Sequence, residues 1–165
     1  MERKYEYDEM PPGWIRAFGK LLLDDIYDQV EADGLEDFHI LQMKEKFGFL
    51  RVYCSPTTEA IERIIDAYSH ISEHVCVVCG KLDVYIIDFG WICPMCSDCY
   101  GNTSYHAFRR EYESVIVDDD CEIPKNYTVL RTRYDAEHNT FHDEAITYDI
   151  TPYVLKVKKD AEERN

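Results

Sequence analysis

Apolar residues recur at spacings of three and four from Trp14 through Ile15, Phe18, Leu21, Leu22, Ile26 and Val30, and the pattern stops at Gly34. That period predicts an amphipathic helix ended by glycine. Pro11-Pro12-Gly13 separates it from a polar leader. A second helix is predicted after Ser55-Pro56, read as an N-cap with proline at the first helical position. Ala60, Ile61, Ile64, Ile65, Tyr68, Ile71 and Val75 form its apolar side, while Glu59, Glu62, Arg63, Asp66, Ser69, His70, Glu73 and His74 form the other. Between the helices, 38–47 and 49–54 are β-prone and split by Gly48, which predicts a hairpin.

Past the second helix, 82–89 reads as a strand, 103–114 is weakly helical, and Asp118-Asp119-Asp120 marks an exposed turn. Residues 127–134 and 145–150 are rich in β-formers, with Ile146, Tyr148 and Ile150 alternating against polar neighbours. Residues 153–158 fit either a strand or a helix opened by Thr151-Pro152, and the charged end, 159–165, is expected to fray. No repeat or low-complexity linker interrupts the chain. One α+β domain over 1–165 is the expected organisation: two amphipathic helices, a hairpin, a cysteine element at 76–99 and a β-rich C-terminal extension at 100–165.

Charge narrows the partners. Against 33 acidic residues stand 18 Lys and Arg, a formal charge of -15. A protein that gains affinity for nucleic acid by releasing counterions needs a basic surface, so direct nucleic-acid binding is disfavoured. A protein partner with a basic surface fits better. Residues 21–43 hold seven acids and no Lys or Arg, and Asp24, Asp28 and Glu31 share the helix face opposite the apolar stripe. They are candidate partner-binding residues. The one concentrated basic feature of this half is Lys44, Lys46 and Arg51, at least two of which share a face across the predicted hairpin. These three are candidates for an anion or carboxylate contact, against the plainer reading that they pair with the chain's own acids. The N-terminus lacks an apolar leader segment, and no apolar run approaches the roughly 18 residues needed to span a bilayer, so no membrane and a cytoplasmic location are expected.

Five of the seven cysteines, Cys76, Cys79, Cys93, Cys96 and Cys99, occupy one short window at spacings of two intervening residues. Such spacing in a chain without a secretory leader points to metal rather than disulfides. Four thiolates close a tetrahedral shell around one structural zinc per chain, whereas catalytic zinc sites keep a position open. Spacing alone leaves Cys93 or Cys99 as the spare ligand. Iron–sulfur ligation is the other metal chemistry cysteine supports. Cys54 and Cys121 are read as packed thiols.

No catalytic residue is nominated. His70 and His74 lie on the second helix's polar face and are expected to be solvent-exposed, with His74 a remote candidate ligand because it precedes Cys76. His138 and His142 fall in a polar stretch between strands, expected as an exposed loop, with a divalent metal as the sharper alternative.

Pro12-Gly13-Trp14, then Lys44-Glu45-Lys46-Phe47-Gly48-Phe49-Leu50-Arg51-Val52-Tyr53, then Cys76-x2-Cys79-Gly80, Gly90-Trp91 and a final Cys-x2-Cys follow one another in order. Together they resemble a family of small, uncharacterised zinc-knuckle proteins from bacteriophages and bacteria that carry a Lys-Glu-Lys-Phe-Gly-x-Leu-Arg motif. Phe49 stands where that family carries a second glycine. The resemblance covers residues 11–99; it implies a phage or prophage setting and favours Cys76, Cys79, Cys96 and Cys99 as the ligands, with Cys93 spare. The resulting expectation is a non-enzymatic, acidic zinc-binding protein that binds and modulates a host nucleic-acid-handling protein, such as an antiviral defence effector. The alternatives are a metal-dependent nuclease or hydrolase using His138 and His142, and a transcription or replication accessory module presenting Lys44, Lys46 and Arg51.

Overall fold

A computed structural model describes residues 1–87, 93–102 and 115–165. The first helix runs as α1 (Pro12–Trp14), a π-helical turn (Ile15–Gly19) and α2 (Lys20–Ala32). It ends where the periodicity places its stop, with Gly34 at a φ of +64°. Trp14, Phe18, Leu22, Ile26 and Val30 are fully buried, as their spacing requires, while Ile15 and Leu21 of the same stripe are half-buried and Leu23, outside it, is buried. The Trp14 indole nitrogen donates to the Val75 carbonyl at 2.8 Å.

The hairpin pairs β1 (His39–Lys46) with β2 (Phe49–Ser55), Lys44 opposite Arg51. Phe47 and Gly48 both take positive φ, 55° and 85°, giving the two-residue turn whose twist suits a tight hairpin. The Glu45 carboxylate accepts the Gly48 amide at 2.7 Å, which fixes the turn. Met43 and Leu50 are buried beneath. Leu50 is fastened to α3 (Glu59–Ser72), donating to Ser72 Oγ at 2.9 Å and accepting from Ser69 Oγ at 2.8 Å. The cap of α3 differs from expectation. Thr58, not Ser55, accepts the Ile61 amide, at 3.2 Å, because β2 keeps the backbone extended through Ser55.

Beyond the cysteines, β3 (Tyr85–Ile87) pairs antiparallel with β4 (Ile116–Asp118), so Asp118 closes a strand instead of lying in a turn. Residues 88–92, including Gly90-Trp91, and the weakly helical 103–114 lie outside the described residues. A short helix, α4 (Ser97–Gly101), starts within the last cysteine pair and carries Cys99, and β5 (Asn126–Asp135) pairs with β6 (Thr140–Asp149) over their full length.

The end of the chain corrects the sequence reading most. Residues 151–164 form α5 (Thr151–Arg164), a helix that continues into the charged end, so the extension is β-rich only as far as Asp149. Val154 and Val157 are fully buried and dock α5 against the first helix and α3. Lys156 donates to Asp25 at 2.6 Å, Tyr68 donates to the other Asp25 oxygen at 2.5 Å, and Arg164 reaches the Ala17 carbonyl at 3.4 Å. The β5–β6 hairpin lies over the polar side of α3, where His70 stacks on Tyr127 with centroids 4.0 Å apart and Arg63 sits 4.8 Å from the Tyr148 ring. His70 is therefore half-buried, not exposed, and so is His74, which packs against Tyr85 and Cys121. Among the described residues no helix is long and apolar enough to cross a membrane.

Candidate metal centre

Two turns bring the sulfurs together. In the first, the Gly80 amide donates to the Cys76 carbonyl at 3.0 Å and Cys76 donates to Lys81 at 2.9 Å, with Gly80 at a φ of +84°. Gly13 and Gly80 face each other there. A Cβ on Gly13 would lie 2.0 Å from the Cys76 carbonyl oxygen, and one on Gly80 would lie 2.7 Å from the Gly13 oxygen. Gly13 also donates to the Val77 carbonyl at 2.8 Å, so the helix start and the first knuckle touch backbone to backbone. In the second turn Cys96 caps α4, its sulfur 3.5 Å from the Cys99 amide. Val77 donates to Pro94 at 3.0 Å and ties the turns together. Asp119 adds an outer clasp by accepting the Ser97 amide at 3.0 Å and pairing with Lys81 at 3.4 Å.

The sulfurs of Cys76, Cys79, Cys96 and Cys99 all lie within 4.8 Å of one another, and those of Cys79 and Cys96 are 3.7 Å apart. Sulfurs bound tetrahedrally to one zinc at about 2.3 Å are about 3.8 Å apart, so the spacing fits a single ion of that size. A multi-iron cluster needs several metals and bridging sulfides between its thiolates. These four cysteines can hold a metal ion, and their geometry is compatible with zinc. They are the set the resemblance favours; Cys93 is not among them.

The electrostatics of the cluster also suit a cation. Burial pushes the Cys76 thiol up, but the amides of Cys79, Cys96 and Val78 outweigh it and leave the group below its ordinary value. Burial raises the Cys79 thiol, and raises Cys99 further with the Cys96 and Cys79 thiols adding to it. A divalent ion supplies the counter-charge that lets all four thiols ionise.

The other candidate residues separate. His74 turns away from the cluster, with Nδ1 3.5 Å from the Cys121 sulfur and its ring stacked on Tyr85. Burial lowers the His74 imidazole and raises the Cys121 thiol, and both shifts oppose a thiolate–imidazolium pair. His138 bonds Asp135 at 2.7 Å at the exposed tip of the β5–β6 hairpin, whereas His142 lies in β6 opposite Arg133. Asp135, Glu137 and His138 come close together, but the two histidines do not form one site.

The acidic face of α2 is assembled as the helical period requires, and the leader covers it. Arg3 reaches Asp28 at 2.7 Å, Glu31 at 3.1 Å and Asp24 at 3.9 Å, above the Tyr27 ring. Asp24 also accepts from Lys20 at 2.6 Å and Tyr5 at 2.5 Å. Partial burial would raise its carboxyl, but these two bonds outweigh it and hold the group below its usual value. No local sequence signal marks Arg3 for this role. Lys44, Lys46 and Arg51, by contrast, share the outer face of the β1–β2 hairpin and form no ion pair among the described residues. The chain matches no family model, no curated protein and no solved structure.

Proposed function

We propose that this chain is a non-enzymatic binding protein whose zinc, held by Cys76, Cys79, Cys96 and Cys99, acts as a structural staple. The observation that carries the reading is the four-sulfur cluster, which around one zinc would fill a tetrahedral shell with protein ligands and leave no position for substrate. Zinc in such a shell stabilises the knuckles and supplies no Lewis-acid chemistry. The -15 charge supports a partner with a basic surface. A nucleic-acid-handling protein of a host cell fits that chemistry, because carboxylates can occupy sites that otherwise receive phosphates. The phage setting rests on the resemblance of residues 11–99.

Asp24, Asp28 and Glu31 already hold one guanidinium, that of Arg3, so this face is suited to receiving a partner's arginine once the leader yields it. The test is affinity capture from host cells, followed by purified binding at low and high salt. Charge reversal at Asp24, Asp28 and Glu31 should weaken the captured complex and flatten its salt dependence. Affinity indifferent to both salt and reversal contradicts the reading, as does turnover of a nucleic acid by the purified chain.

A further inference from the structure

The outer face of the β1–β2 hairpin joins three cations that form no ion pair among the described residues to apolar exposure. Arg51 interacts electrostatically, without an ion pair, with the Asp66 carboxyl. Register places Gln42, Lys44, Lys46, Phe49, Arg51 and Tyr53 on one side. Among the described residues Arg3, Lys20, Arg63, Lys81, Arg133, Lys156 and Arg164 each pair with an in-chain carboxylate. The other cations without an ion pair, Lys4, Arg16, Lys125 and Lys159, are scattered along the chain, whereas the hairpin gathers three on one face. Lys44, Lys46 and Arg51 lie instead over aromatic rings, at 6.0 Å from Tyr53, 5.6 Å from Phe47 and 4.5 Å from Phe49. Glu45, between the two lysines, is committed to the Gly48 amide. Phe47 is 69% exposed, Leu41 65% and Tyr53 44%.

Three unpaired cations in a chain with nearly twice as many acids as bases form a local exception to its field. At physiological salt the screening length is about 8 Å, so a ligand seated on the hairpin responds mainly to these nearby charges. A nucleic acid brings a charge with every nucleotide and extends past the patch into the acidic surroundings. A protein segment with a few carboxylates separated by apolar side chains matches both the cations and the rings, and extends little charge beyond them.

We propose that this hairpin face docks a short acidic segment of a partner protein, its carboxylates meeting Lys44, Lys46 and Arg51 and its apolar side chains covering Phe47 and Tyr53. This rests on the binding-protein reading and adds a second contact of opposite sign to the acidic faces. Such two-signed contact favours one orientation of the partner, because the reversed arrangement places like charges together.

The test is a titration of the full, metal-loaded chain followed by amide resonances. One probe is a peptide of Glu interspersed with Leu and Phe, the second is its Gln-for-Glu counterpart, and the third is an oligothymidylate. The Glu peptide should shift amides within 41–53 and bind about ten-fold more tightly than the Gln peptide, about 1.4 kcal/mol. Combined Lys44→Gln, Lys46→Gln and Arg51→Gln should remove that difference while leaving metal content and melting temperature unchanged. Tyr53→Ser should weaken both peptides alike and thereby report the apolar half. If the triple variant loses metal, Arg51→Gln alone is read in its place and should weaken the Glu peptide about three-fold.

Equal affinity for the Glu and Gln peptides overturns the proposal, as do shifts confined to other surfaces or no shift with either peptide. Tighter binding of oligothymidylate assigns the face to nucleic acid and overturns it too. A captured partner that the triple variant holds as well as the parent chain sinks the hairpin proposal and leaves the binding reading standing. Turnover of a nucleic acid sinks the binding reading itself.

Discussion

The helical core and the cysteine knuckles lie side by side but are held by different chemistry. Trp14, Phe18, Leu22, Tyr68 and Ile71 are removed from water almost completely, and burial of such side chains stabilises by about 1.5–3 kcal/mol each. The knuckle region joins the same core through Val75, Val84, Ile86 and Met95 but is built on shorter elements. Among the described residues these are α4, with five residues, and the β3–β4 pair, with three residues in each strand. Strand pairs this small are not stable alone, and a metal held by the four sulfurs would add cohesion to what the shared core supplies. The regions meet at Gly13, where helix and knuckle backbones touch.

The largest expected effect comes from removing one ligand. Cys79→Ser, or a strong chelator, should abolish stoichiometric metal binding and erase amide protection in 74–87 and 93–102. Structural zinc contributes about 10–16 kcal/mol in isolated knuckle peptides, so no local contact can compensate. Hydrogen exchange resolves the two regions: protection of α2 and α3 should largely persist. Simultaneous loss of both would break the distinction drawn between them.

Trp14→Ala works from the other side. It removes a fully buried indole and its bond to the Val75 carbonyl, and should cost about 3–5 kcal/mol in denaturant melts. Metal should remain at one per chain under native conditions. Gly13→Ala probes the seam, because its new Cβ meets knuckle backbone rather than a movable side chain. A cost of about 1–3 kcal/mol is expected, together with weaker metal affinity in a competition assay with a chromophoric chelator. A change in stability without a change in metal affinity would uncouple the two regions.

The smallest effect concerns pH. Burial, with the neighbouring His74 adding, lowers the His70 imidazole beneath the Tyr127 ring. The unfolded chain then binds a proton more readily than the folded one. His70 therefore contributes full stability above its unfolded pKa of about 6.5, and that contribution falls as pH drops toward the folded value. Comparing the parent chain with His70→Gln at each pH cancels the effect of thiolate protonation; the stability difference between them should shrink with acidification. An unchanged difference would place His70 outside the linkage.

What the sequence made legible is what repeats locally. The stripes from Trp14 to Val30 and from Ala60 to Val75, and the turn at Gly48, follow from periods and punctuation that neighbouring residues define. Spacing identified the cysteine element, but only the resemblance separated Cys99 from Cys93, and the sulfur positions agree with that choice. Long-range contacts left no such trace. Arg3 meets acids more than twenty positions away. The polar side of α3 looked like a solvated surface because the Tyr127 that covers His70 arrives from a distant hairpin. The charged end of the chain, expected to fray, continues the helix docked by Val154 and Val157, whose spacing of three becomes informative only once a groove exists to receive it.

X-ray absorption at the zinc edge, with metal stoichiometry on the same purified full-length sample, tests the central claim most directly. One zinc per chain is predicted, with four sulfur neighbours at about 2.3 Å and no nitrogen or oxygen in the shell. Iron with thiolate charge-transfer absorption, a light-atom ligand in the shell, or a folded chain that carries no metal would contradict it.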